Sequence, residues 1–145
     1  TELQAALGIS QMERLDKFVV RRHELALRYT LSLQNMPITI PWQHPDGYSS
    51  FHLYVIRLKL DEIIKGHRRV FEDLRELGVG VNLHYIPVHT HPYYQSMGFK
   101  QGDYPEAERY YREAVSLPMY YGLTDQQQLE VIRSVGQVVG VGVED

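Results

Sequence analysis

The chain has 145 residues, of which 43% are hydrophobic and 23% charged, a composition that favours one folded domain over residues 1–145 rather than disorder. Its formal net charge of −3 gives no electrostatic reason to bind nucleic acid, and no apolar run reaches the roughly 20 residues that span a membrane. The lack of cysteine excludes disulfides, thiolate metal sites and cysteine nucleophiles, and we expect a cytoplasmic protein.

A long amphipathic helix is predicted first, over residues 2–34, because apolar side chains recur on one face at helical spacing. Thr1 can cap its start, and Asn35 and Pro37 end it. The chain begins with Thr1 rather than methionine, so we expect it to be a piece of a longer protein.

The middle of the chain alternates between strand and helix patterns. A short strand is predicted at residues 38–40, and the best strand pattern covers residues 50–60. Both faces of that second strand are largely apolar, so we expect it to lie inside a sheet. Residues 61–77 predict a helix that Gly78 terminates, with a possible break at Gly66.

The last part of the chain predicts two more strands and three more helices. Thr124 and Gln127 form a capping-box pattern before the final helix. The other predicted elements are a strand at 79–84, a short helix at 93–97, a helix at 103–113 and a strand at 115–119. The fold class is therefore α+β, with a small antiparallel or mixed sheet flanked by helices.

A polar loop follows the third predicted strand. His84, Tyr85 and His89 surround Pro87, which prevents regular strand pairing. We expect this loop to contact a ligand, and the alternative is a surface loop with ordinary hydrogen-bonded histidines. A metal site is disfavoured because no third ligand stands at a recognised spacing, although His91 is near.

Other polar and aromatic groups favour structural roles. The charges around Arg21, Arg22 and His23 alternate in sign, which predicts a solvated helix face. His67, Arg68 and Arg69 open a helix, where an anion would offset the helix dipole, but simple exposure is the favoured interpretation. Most of the later tyrosines are expected in the core, although stacking on a base or sugar is the alternative: Tyr93, Tyr94, Tyr104, Tyr110, Tyr111, Tyr120 and Tyr121.

Three stretches, at residues 1–16, 77–89 and 107–127, resemble the DegT/StrS-type aminotransferases that act on nucleotide-linked sugars. The run His84-Tyr85-Ile86-Pro87-Val88-His89 is most similar to members that aminate UDP-linked 4-keto-6-deoxy sugars, such as precursors of pseudaminic acid. The resemblance implies the C-terminal small domain of a fold-type I pyridoxal 5'-phosphate (PLP) enzyme. It also implies a homodimer, with a nucleotide sugar and an amino donor, commonly glutamate, as partners.

The same resemblance places the cofactor-binding large domain outside this chain. None of Lys17, Lys59, Lys65 and Lys100 stands in the family's lysine motif, so no catalytic or cofactor-binding residue and no metal ligand is assigned here. We expect the chain alone to be inactive and to bind no PLP. His84, Tyr85 and His89 are expected to contact or position the substrate. The alternatives are a noncatalytic module that pairs through its first helix, or a protein that binds nucleotide sugars without turnover.

Overall fold

A computed structural model describes residues 1–140, so the end of the domain expected over 1–145 lies outside the described residues. The helices are α1 (Glu2–Met12), α2 (Leu15–Leu33), α3 (His67–Glu76), α4 (Pro92–Gln95), α5 (Pro105–Glu113) and α6 (Asp125–Val139). The strands are β1 (Ile38–Thr39), β2 (Tyr54–Leu58), β3 (Asn82–Leu83) and β4 (Ala114–Leu117). Within residues 1–140, no helix combines the length and apolar character that crossing a membrane requires.

The four strands form one antiparallel sheet in the order β1-β2-β4-β3. This confirms the α+β prediction and the interior position of the second strand. Tyr54 stands opposite Leu117, and Val55 stands opposite Ser116. Since successive side chains point to opposite faces, Tyr54 and Leu117 share one face of the sheet and Ser116 lies on the other.

The core lies between the first of these faces and the packed helices. Helix α6 packs against α2 and α3 and closes the core from above the sheet. Buried side chains alternate along β2, whereas every residue of β4 is buried. Strand β4 is therefore covered on both faces. The largest fully buried apolar side chains are Tyr29, Tyr54, Leu25, Leu33, Ile56, Leu58, Leu74, Val70, Val81, Val115 and Val135.

The single long helix predicted over residues 2–34 is wrong, because Glu13 and Arg14 form a turn that separates α1 from α2. No glycine or proline marks this turn, and the sequence gives no physical reason for it. The two helices differ in packing. Helix α2 buries four residues, whereas α1 buries none and leaves Leu3 84% and Leu7 63% exposed.

Several predicted strand boundaries move inward because the outer residues of the predicted strands do not join the strand ladders, although Val79 and Val81 are still buried in the core. The strand predicted over 50–60 shortens to Tyr54–Leu58, and the strand over 79–84 shortens to Asn82–Leu83. Gly66 caps the start of α3, and Gly78 takes the predicted left-handed conformation after it, at φ 80°. The capping box of Thr124 and Gln127 is confirmed.

The prediction of a solvated face around residues 21–23 is also wrong. Arg22 donates to the carbonyls of Phe51, His52 and Met119 at 2.8, 3.0 and 3.2 Å. Arg21 donates to the Leu123 carbonyl at 2.8 Å. These half-buried guanidinium groups satisfy loop carbonyls that form no strand ladder, so they join α2 to the ends of β2 and β4.

His23 next to them makes a comparable link. Its Nε2–H donates to the Ser49 carbonyl at 2.7 Å, and its ring stacks on Tyr48 with centroids 4.4 Å apart.

At the start of α3, Arg68 and Arg69 form ion pairs with Glu72 and Asp73. Both arginines are exposed, as expected, but the same prediction is wrong for His67, which is half-buried and donates from Nε2–H to the Ala114 carbonyl at 3.0 Å.

Candidate functional site

His84 lies on the face of the sheet opposite the core. Asn82 in β3 stands opposite Ser116 in β4, and His84 follows two residues later. Its Nε2 lies 2.7 Å from Ser116 Oγ, and its ring meets Tyr110 of α5 edge-on at 5.7 Å. The half-buried position lowers the pKa of His84 below its ordinary value, so the imidazole is neutral near pH 7.

His89 is held more tightly than a loop histidine usually is. It lies in a 3₁₀ turn (Val88–Thr90) and is only 8% exposed. Its Nε2–H donates to Glu108 Oε1 at 2.9 Å, and the Gly102 N–H donates to the same oxygen at 2.6 Å. The bonds from Gly102 and His89 hold the pKa of Glu108 below its usual range, so Glu108 is an ionised acceptor.

Tyr85 differs from both histidines because it is 91% exposed. It lies between the two histidines in sequence, and hydrogen bonds within residues 86–91 fix the rest of the loop. The Thr90 hydroxyl donates to the Pro87 carbonyl at 2.7 Å, and His91 Nε2–H donates to the Ile86 carbonyl at 3.2 Å. The structure thus anchors His84 to β4 and α5 and anchors His89 to α5, and it leaves Tyr85 exposed and able to contact a ligand.

Two clefts flank this loop. One, of about 410 Å³, is lined by Val88, His89, Tyr94, Phe99, Tyr104 and Ala107. The other, of about 340 Å³, is lined by Ile86, Pro87, Thr90, Gln101, Glu108, Tyr111 and Arg112. Glu108 and His89 form the wall between them. A larger cleft of about 460 Å³ lies between the end of α3 and α6, but it contains no residue of this loop.

The core interpretation of the later tyrosines is wrong. Tyr94 and Tyr111 are half-buried, and the other five are exposed. Tyr104 packs on His89 with ring centroids 4.9 Å apart, and Phe99 lies next to Tyr104 at 6.3 Å. Helical spacing correctly placed Tyr110 and Tyr111 in α5, but neither ring is buried, and Tyr110 contacts His84 instead of the apolar core.

Two polar residues of the site were not identified from sequence as binding groups. Ser116 was assigned only to a strand, and Glu108 only to a helix. Alternation along β4 places Ser116 opposite in direction to the core residues Val115 and Leu117, which is the pattern that marks it. Within residues 1–140, no group of three His, Cys, Asp or Glu side chains is arranged to hold a metal ion.

Comparison with known proteins identifies the family to which this chain is related. Residues 1–136 match the DegT/DnrJ/EryC1/StrS aminotransferase family. The chain belongs to that family.

The relatives of this chain include a polysaccharide biosynthesis protein and sugar aminotransferases. The chain is 42% identical to the spore coat polysaccharide biosynthesis protein SpsC of Bacillus subtilis over 95% of this chain and 36% of SpsC. It therefore spans about a third of the length of such relatives.

Solved structures agree on the fold. PseC of Helicobacter pylori, an aminotransferase involved in the biosynthesis of pseudoaminic acid, superposes with a TM-score of 0.84 at 28% identity, over 96% of this chain and 37% of PseC. The sugar aminotransferase Spr1654 of Streptococcus pneumoniae, which is described as putative, gives a TM-score of 0.88 at 25% identity, over 97% of this chain and 35% of its own.

Proposed function

We propose that residues 1–145 are the C-terminal small domain of a PLP-dependent aminotransferase. The complete protein transfers an amino group, commonly from glutamate, to a nucleotide-linked 4-keto-6-deoxy sugar during the synthesis of surface polysaccharides or glycans. The observation that carries this proposal is the family match over residues 1–136. The likeness to PseC and the 42% identity to SpsC support the choice of a nucleotide-linked sugar as acceptor.

His84 and Tyr85 contact the sugar nucleotide in this proposal, and His89 positions the loop that carries them. The exposure of Tyr85 supports a direct contact, since its phenol offers both an apolar face and a hydroxyl. The burial of His89 against Glu108 supports a positioning role instead. In this proposal, His84 and Tyr85 contact the ligand, whereas His89 fixes the loop and does not contact it.

The residues of this chain do not fit a PLP site by themselves. Neither cleft beside the loop is lined by a lysine. Lys59 forms an ion pair with Glu62, and Lys65 forms one with Asp73 on the far side of the fold. PLP serves as an electron sink when an enzyme binds it. The lysine and the phosphate contacts come from the rest of the longer protein, and this chain alone is inactive.

The complete enzyme is a cytoplasmic homodimer in this proposal. The exposed apolar side chains of α1 support a contact with further protein, because a helix that buries none of its apolar residues gains stability when a partner covers them. The absence of cysteine is consistent with a reducing compartment.

The test is to express the complete open reading frame that encodes this chain and to compare it with the chain alone. Purified complete protein is expected to show the visible absorbance of bound PLP and to aminate a UDP-linked 4-keto-6-deoxy sugar with glutamate as donor. The chain alone is expected to do neither. A reading frame that starts at Thr1, or a complete protein without amino transfer, would refute the proposal.

One observation favours a second function. Helix α1 buries no residue and exposes Leu3, Leu7, Ile9 and Met12. A noncatalytic relative that pairs through this helix would use such a surface, with or without a bound nucleotide sugar. The reading frame separates the two functions: a frame limited to this chain, together with a stable dimer in sedimentation, would support the noncatalytic module.

A further inference from the structure

In the hydrogen bond between His84 and Ser116, one side chain is the donor and the other is the acceptor. A serine hydroxyl can donate one hydrogen, whereas a neutral imidazole has one N–H donor and one ring nitrogen that accepts. The two atoms lie 2.7 Å apart, and either arrangement of the hydrogen satisfies that distance. The surroundings of Ser116 decide between them.

Ser116 is only 5% exposed, and within residues 1–140 its hydroxyl has no hydrogen-bond partner other than His84. If His84 Nε2 carried the proton, the buried Ser116 hydroxyl hydrogen would have no acceptor. Such an unpaired buried donor is unfavourable, because it gives up its hydrogen bond to water and gains none in the protein. If Ser116 donates to Nε2 instead, the hydrogen bond is made and no buried donor is left over.

The neighbouring groups keep the ring in this state. Tyr110 of α5 packs edge-on against the imidazole and limits its rotation. Burial lowers the pKa of His84, so the ring is neutral near pH 7 and carries one N–H. Because Nε2 accepts from Ser116, that N–H is at Nδ1, for which no partner exists among the described residues.

We infer that Ser116 is a positioning residue: it fixes His84 in the tautomer whose Nδ1–H is free to donate to an oxygen of the sugar nucleotide. The inference rests on the proposed function for the identity of that acceptor. A hydrogen-bond donor suits a sugar hydroxyl, a keto oxygen or a phosphate oxygen, all of which a nucleotide-linked keto sugar carries.

Long-range ¹H–¹⁵N spectra of the labelled chain at neutral pH test the tautomer without any substrate. A His84→Gln variant identifies the His84 signals among the seven histidines. The wild-type spectrum is expected to show Nε2 as a nonprotonated nitrogen and Nδ1 as a protonated one. The opposite assignment in the wild-type chain would overturn the inference.

Serine variants test whether Ser116 is the cause. Ser116→Ala is expected to give averaged signals from a mixture of tautomers, and Ser116→Thr, which keeps the hydroxyl, is expected to restore the wild-type pattern. Ser32→Ala, an exposed change on α2, serves as the matched control and should leave His84 unaffected. An unchanged tautomer in Ser116→Ala would overturn the inference. If Ser116→Ala does not fold, Ser116→Thr and the wild-type spectrum decide.

The consequence for substrate is measured in the complete protein. Ser116→Ala is expected to raise KM for the nucleotide sugar about tenfold, the loss of roughly one hydrogen bond, while the visible absorbance of bound PLP is unchanged. An unchanged KM would overturn the role toward substrate. A wild-type protein without amino transfer would refute the proposed function instead, and the tautomer measurement would still stand on its own.

Discussion

Single residues of the site divide into those that meet the ligand and those that hold the loop. Glu108 belongs to the second kind, because one of its oxygens accepts both from His89 in the loop and from the Gly102 backbone. It thus joins two irregular segments that share no strand ladder. The carboxylate supplies an acceptor in a region where Pro87 has no backbone N–H and the chain forms no strand ladder.

Two substitutions at Glu108 distinguish the contribution of its hydrogen-bond acceptor to stability from that of its negative charge. Glu108→Gln keeps an oxygen acceptor and is expected to preserve the loop, with a small loss of stability because the bonds are no longer charge-assisted. Glu108→Ala leaves the buried His89 N–H without its acceptor and is expected to lower the melting temperature clearly more than Gln does. Thermal unfolding measures both, and an alanine variant as stable as the glutamine variant would contradict the positioning role.

At the scale of elements, two helices begin with the same capping box but differ in burial. Thr1 caps α1 through Gln4, and Thr124 caps α6 through Gln127. Thr124→Ala is expected to destabilise the fold by about 1 kcal/mol, because α6 forms part of the core. Thr1→Ala is the matched control and should leave the free energy of unfolding nearly unchanged, since α1 buries no residue. Urea unfolding measures both, and equal losses would contradict this view.

Asp125, the first residue of α6, makes the stability of the α2–α6 contact sensitive to acid. Hydrogen bonds from Arg28 and then Arg21 hold the pKa of Asp125 well below its ordinary value. A lowered folded-state pKa contributes stability that is present above the unfolded-state pKa and is lost as pH falls toward the folded one.

We therefore expect wild-type chain to lose stability between about pH 4 and about pH 2 in part through Asp125. Asp125→Asn should be less stable near neutral pH and show a smaller loss over that range. The urea midpoint of both chains against pH provides the measurement. Parallel curves would show that the ion pairs with Arg21 and Arg28 are too exposed to matter.

The elements also show what the sequence can and cannot predict. Helix α6 was predictable because a capping box and an apolar period agree. The turn at Glu13–Arg14 was not, since no breaker residue marks it. His84, Tyr85 and His89 were identifiable from the loop around Pro87, but the pairing of His84 with Ser116 depends on strand register, which no local pattern specifies.

At the scale of the whole molecule, the helices cover one face of the sheet, but nothing within residues 1–140 covers the apolar side chains of α1. One face of the sheet is closed by α2, α3 and α6, whereas α1 projects with its apolar residues uncovered. We expect the chain alone to self-associate as its concentration rises, because burying that surface is favourable.

A substitution on α1 tests this association without disturbing the core. Leu7→Glu is expected to shift the chain toward monomer in sedimentation velocity, since Leu7 is exposed and contributes nothing to the packed core. Gln4→Glu adds the same carboxylate on the same helix without removing an apolar side chain, and should associate like wild type. A wild-type chain that remains monomeric at high concentration would contradict the prediction.

The register between β3 and β4 restricts how this segment can change in length. Asn82 stands opposite Ser116, and His84 reaches the same side of the sheet only because it lies two positions after Asn82. Inserting or deleting one residue between positions 82 and 84 would reverse the side on which the histidine emerges and detach it from the serine. The loop over residues 41–50, which contains no strand, carries no such constraint. Among variants of this chain, insertions and deletions should therefore accumulate within residues 41–50 and be absent between residues 82 and 84.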